Sequence, residues 1–164
     1  MQLRLFATLT LVAVFGSACA KRVPEPSGVA PGTPHISWVL MYGDRDTSDG
    51  EFSCQSEPRS ECVLPASKEG EQVYSDIHFY YHGVGGETRY EGTKNLAYLQ
   101  GSPEAHRSQV NITATKNESI TNESVTGIVT STPGAHTVTV SVTATVTGTG
   151  KKFPIQESFQ VVVK

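Results

Sequence analysis

Between Ala135 and Gly148 apolar and hydroxyl side chains alternate almost without a break. Val138, Val140, Val142, Ala144 and Val146 form one set, and Thr137, Thr139, Ser141, Thr143, Thr145 and Thr147 form the other. Side chains of a strand point alternately to opposite faces, so this period of two predicts a strand with one dry face and one wet face. A helix would scatter the two sets. Valine and threonine, branched at Cβ, suit a pleated surface. A wet face implies antiparallel sheet, because parallel strands are usually covered on both sides, and the valine face then requires a second sheet packed on it.

The same period recurs along the chain. His35 to Tyr42 sets Ile36, Trp38, Leu40 and Tyr42 against Ser37, Val39 and Met41, which places the single tryptophan in the core. Gln72 to His82 sets Val73, Ile77, Phe79 and Tyr81 against Tyr74, Asp76, His78, Tyr80 and His82, with Ser75 interrupting the apolar set. Phe153, Ile155, Phe159, Val161 and Val163 share one face of a last strand, broken by Glu157. Shorter strands are expected at Glu51 to Gln55, Cys62 to Leu64, Thr88 to Tyr90 with a continuation at Leu96 to Leu99, Gln109 to Thr115 and Ser124 to Thr130. Asp49-Gly50, Gly83 to Gly86 and Pro133-Gly134 supply turns. No segment keeps helical periodicity over three turns. The pattern predicts an all-β, antiparallel two-sheet sandwich over residues 35–164.

Pro133-Gly134-Ala135-His136-Thr137-Val138 and the closing Phe159-Gln160-Val161-Val162-Val163-Lys164 resemble the final hairpin of bacterial immunoglobulin-like or PKD-like domains. The resemblance implies an immunoglobulin-like sandwich and assigns no site.

The N-terminus has the three parts of an export signal: Met1 to Arg4 is a short basic start, Leu5 to Phe15 an apolar run, and Gly16-Ser17-Ala18-Cys19 a small-residue end. The run is too short to span a bilayer as a stable helix. Its end resembles the lipobox of bacterial lipoproteins, a family in which the cysteine is acylated on its thiol and becomes the mature N-terminus. Ser17, Ala18 and Cys19 match the last three positions, whereas Gly16 stands where a bulky aliphatic residue is usual. The resemblance implies a signal peptide over residues 1–18, lipidation of Cys19, and a membrane-anchored place in the bacterial cell envelope, on the outer-membrane or periplasmic side. The competing cut follows Ala20, since Ala18-Cys19-Ala20 is itself a small-x-small site, and would release a secreted protein. Lys21 to Pro34 is rich in proline, glycine, serine and alanine, so residues 19–34 read as an anchor and tether. At ~3 Å per residue it would reach some ~40 Å.

Composition narrows the partners. The 164 residues suffice for one domain, and a net charge of −3 with dispersed basic residues leaves no footprint for nucleic acid. Of the three cysteines, Cys54 and Cys62 lie close enough to close a small loop. In an exported chain they form a disulfide, while in a reducing compartment they would be free thiols or half a metal site.

Asp44, Asp46, Asp49 and Glu51 crowd one loop and offer hard oxygen ligands for calcium, the one cofactor the composition invites. The spacing departs from an EF-hand, and a solvated hairpin is the alternative. Asp76, His78, Tyr80 and His82 share a strand face, but with residues two apart on a strand ~7 Å apart, His78 and His82 lie ~13 Å apart, too far for both to hold one ion with short bonds. Tyr74, His78 and Tyr80 form a candidate binding surface for a protein or glycan partner. Asn111, Asn117 and Asn122 open glycosylation sequons by pattern. No nucleophile elbow, zinc-protease pair or phosphate loop occurs, so an enzyme is not expected. The expected protein is a lipid-anchored envelope protein with an immunoglobulin-like binding or scaffolding domain. The rival is a soluble secreted or periplasmic protein with a glycan, small-molecule or calcium site in the acidic loop.

Overall fold

The structure, a computed structural model, describes residues 29–44, 50–115 and 120–164. Its strands are β1 His35–Gly43, β2 Glu51–Gln55, β3 Cys62–Leu64, β4 Tyr74–His82, β5 Thr88–Leu96, β6 Arg107–Ala114, β7 Ile120–Ile128, β8 Gly134–Val146 and β9 Lys151–Val163. No helix occurs among the described residues. A first sheet runs in the order β2-β1-β4-β7 and a second in the order β3-β9-β8-β5-β6, and the two pack face to face as a β-sandwich.

The alternating Thr-Val strand is β8, at the middle of the second sheet. Val138, Val140, Val142, Ala144 and Val146 are all buried, whereas Thr137 and Ser141 are exposed, so the dry and wet faces stand as the period of two requires. From the first sheet Ile36, Trp38, Leu40, Ile77, Phe79 and Tyr81 meet them. Trp38 stacks on Phe159 of β9 with ring centroids 3.7 Å apart, and Tyr81 meets Tyr90 of β5 edge-on at 5.2 Å. Offset and edge contacts of this kind add to the burial of the rings themselves. Ser75, the interruption in the apolar set of β4, is buried and shares a hydrogen bond of 3.0 Å with the Tyr98 hydroxyl, which satisfies both groups.

Two features depart from the expected architecture. The strand expected at Thr88 to Tyr90 runs on unbroken to Leu96 as β5, with Leu99 beyond it making only an isolated bridge to Val129, and the middle of β5 holds Gly92 and Lys94 at inward positions that look unlike core. Gly92 is required there. A Cβ at that position would lie 2.1 Å from the Ser141 carbonyl oxygen of β8. The second departure is β3, which pairs in parallel with β9 through Cys62–Val161, Val63–Val162 and Leu64–Val163 in a sheet otherwise antiparallel. A three-residue strand that crosses over from the first sheet, and is not the return limb of a hairpin, has its direction set by that crossing.

Cys54 and Cys62 are bonded, with S–S at 2.07 Å. The bridge joins β2, an edge of the first sheet, to β3, an edge of the second. Ser53 adds a hydrogen bond of 2.9 Å to the Val63 carbonyl across the same boundary. Of the tether, residues 29–34 are described and turn at Pro31-Gly32, with Thr33 N–H donating to the Ala30 carbonyl at 3.1 Å. Residues 1–28, including Cys19, lie outside the described residues.

Candidate functional site

Strand pairing assigns the outer face of the first sheet. His35, Ser37, Val39 and Met41 of β1 lie beside His82, Tyr80, His78 and Asp76 of β4, and these beside Ile120, Asn122, Ser124 and Thr126 of β7. Phe52 of β2 stands opposite Met41 on the same side. Among the described strand residues of this face, histidines aside, Asp76 carries the one formal charge. The second sheet presents a different wall, with the hydroxyls of β8 flanked by Arg89, Glu91, Arg107 and Lys152.

Asp76 is 8 % exposed, and its charge is met on three sides. Ser124 and Thr126 donate hydroxyls to Oδ1, the latter at 3.2 Å, and His78 Nε2 lies 2.7 Å from Oδ2. Asn122 Nδ2 stands 3.3 Å from His78 Nδ1, so the imidazole is held from both nitrogens. The His78 ring lies nearly parallel to that of Tyr80, with centroids 6.4 Å apart. Burial first, and then the Asp76 charge, raise the Tyr80 hydroxyl above its ordinary pKa. Further along, His35 and His82 stack with centroids 4.0 Å apart, and His82 Nε2 shares a hydrogen bond of 2.8 Å with Ser37 Oγ. Burial, and then the neighbouring His35, push His82 down to about 4.

This arrangement lacks the parts of a nucleophilic site. Ser37 and His82 are within reach of each other, yet Ser37 is fully buried and no carboxylate orients the imidazole. Ser124 gives its hydroxyl to Asp76 and not to His78. Among the described residues no group of three or more His, Cys, Asp or Glu side chains is placed to hold a metal ion. What the face offers is fixed hydrogen-bonding groups and aromatic surface.

The structure stacks His78 with Tyr80, and Tyr74 stands at the start of β4 on the same face. Tyr74 donates to Gln72 Oε1 at 3.0 Å and lines a crevice of about 650 Å³ at one pole, with Lys68, Glu69, Gln100 and Ser131. Of the acidic loop, Asp46 and Asp49 lie outside the described residues. Glu51 accepts the Tyr42 hydroxyl at 2.6 Å, a bond that raises the Tyr42 pKa, and Asp44 lines a separate crevice with Lys68 and Lys164. On a second flank, Glu157 shares a crevice of about 250 Å³ with His35, Trp38 and Arg59, and burial raises its carboxyl above the usual range despite the Arg59 charge.

Pattern reading misses the pair that crosses the interior. Lys94 of β5 is buried and reaches Glu123 of β7, whose other oxygen takes the Tyr81 hydroxyl at 2.7 Å. Their one signal in the sequence is a charge at an inward position of each strand, visible only once the register is known.

Fold and face together define a β-sandwich with one nearly uncharged, aromatic and histidine-bearing outer sheet surface. No protein-family model, curated protein or solved structure matches the chain significantly.

Proposed function

We propose that the protein is a lipid-anchored bacterial envelope protein whose sandwich binds another macromolecule through the outer face of its first sheet. The observation that carries the reading is the contrast between the two outer faces. Interface centres are depleted of charge and enriched in aromatic residues and methionine, which describes the first sheet and not the second. Among the described residues, the two large apolar side chains most open to water, Phe52 at 56 % and Ile120 at 44 %, both stand on it. The anchor rests on Ser17-Ala18-Cys19 and the proline-rich segment that follows. An immunoglobulin-like reading is supported by strand order: β1-β4-β7 and β9-β8-β5 run as the A-B-E and G-F-C strands of that fold.

A photo-crosslinking residue at Phe52 or Tyr80, introduced into the full chain in cells, is expected to yield a discrete adduct, and one at Ser141 none. Equal labelling from Ser141 overturns the face assignment. Mass spectrometry of the mature N-terminus tests the anchor, for which an acylated Cys19 is expected and a start at Lys21 is fatal.

A further inference from the structure

The β4–β7 ladder reveals which backbone groups of β7 are left open. Val129 donates its N–H to the Val73 carbonyl at 2.8 Å, in register with that ladder. Bonded and non-bonded pairs alternate in an antiparallel ladder, so Thr121, Glu123, Val125 and Gly127 bond toward β4. Ile120, Asn122, Ser124 and Thr126 therefore turn their N–H and C=O groups away from the sheet. The carbonyl of Ile128, next in this series, is taken from outside by Gln100 N–H at 2.7 Å, which agrees with the phase and marks where the opening ends.

We infer that this open stretch of β7 is a self-association edge, at which a second copy adds its own β7 antiparallel about a two-fold axis and joins two four-stranded sheets into one. Open edges invite such pairing unless they are guarded by lysine, proline or inward charge. The unpaired half of β9 carries those guards, with Lys151, Lys152 and Pro154 beside the inward Glu157. On the β6 edge Arg107 opens the strand, and the Thr113 carbonyl is already taken by Thr121 Oγ1 at 3.3 Å. The four open positions of β7 hold no charge and no proline, and the inward Glu123 is neutralised by Lys94. Each open residue supplies one donor and one acceptor, so the edge is its own complement under a two-fold axis, and without charge it does not repel its copy. An axis through Glu123 would set the two glutamates directly opposite, which places it at Asn122 or Ser124 instead.

The test uses the full chain in mild detergent, carrying Cys19→Ser so that an engineered thiol is the only one outside the disulfide. Asn122→Cys or Ser124→Cys is expected to give a disulfide-linked dimer on mild oxidation, and Ser158→Cys on the β9 edge at least tenfold less. Sedimentation velocity should show a concentration-dependent dimer. Ser124→Pro, which removes an N–H that β4 does not use, is expected to abolish it. Ile120→Lys, a change confined to an exposed side chain, should do the same if the proline variant folds poorly. A chain that stays monomeric at every concentration, or a dimer that survives Ile120→Lys and is not trapped at Asn122 or Ser124, overturns the inference.

Discussion

Lys94, 3 % exposed on β5 of one sheet, gives its ammonium to Glu123 on β7 of the other. Removing one partner of a buried pair costs about 3–5 kcal/mol when the survivor is left without water. The two survivors differ, because the Glu123 side chain is 24 % exposed and can rehydrate while Lys94 cannot. Glu123→Gln is expected to lower stability by about 3 kcal/mol and Lys94→Met by about 1–2 kcal/mol, with Lys94→Met/Glu123→Leu milder than the first. Urea titration of the three variants checks the order, and equal losses in the single variants contradict it.

Val142 is 4 % exposed on the inner face of β8, and its neighbour Ser141 is exposed on the outer face. Val142→Asp would bury an unpaired carboxylate, at a cost comparable with a domain's whole margin of ~5–15 kcal/mol, so this variant is expected to be unfolded. Ser141→Asp should cost under about 1 kcal/mol. Circular dichroism melts of both proteins decide the matter, and a cooperative transition near the wild-type temperature in Val142→Asp would falsify the facing assignment.

The Cys54–Cys62 bridge spans a sequence separation of 8 residues, for which the loop-entropy relation gives about 2.5 kcal/mol. Cys54→Ser is expected to lose about that much and to remain folded, because neither sheet's central strand depends on the loop. A thiol-reactive probe should label neither Cys54 nor Cys62 in the native, unreduced protein. Labelling of both contradicts the bridge.

His82 is lowered from 6.5 to about 4 in the fold, so between those values the unfolded chain binds more protons than the native one. Stability from this residue is complete above about 6.5 and is lost as pH falls toward 4. Discounted for partial exposure, the full change is about 1–2 kcal/mol. Melting temperatures of wild type and His82→Phe at pH 7.5, 5.5 and 4.5 read the difference. The gap should move in favour of the variant as acid is added, and a constant gap refutes the assignment.

Facing was legible in the sequence wherever one residue type repeated with period two. The valines of β8, the Ile-Trp-Leu set of β1 and the Phe159-Val161-Val163 set of β9 all point where the pattern puts them. The period failed at β5, because Gly92 and Lys94 sit inward for reasons that lie on other strands: the Ser141 carbonyl for the first and Glu123 for the second. Neither is written near the residue it constrains. The same holds for the uncharged face, since its contributors are scattered from His35 to Thr126 and become neighbours only through pairing register. Tyr74 opens β4 on the face of His78 and Tyr80 and also lines the crevice at the pole, a place set by where the strand begins, which periodicity does not locate.

The segment that enters the sandwich leads directly into β1, and β1 is an interior strand, paired with β2 on one side and with β4 through nine consecutive residues on the other. A pull applied through His35 along the strand axis therefore loads the β1–β4 ladder in shear, so that its hydrogen bonds resist together and cannot be opened one at a time. Were β1 an edge strand peeled sideways, they would yield in succession. The place of one strand in the sheet order thus sends any load that enters at His35 into a ladder held in shear.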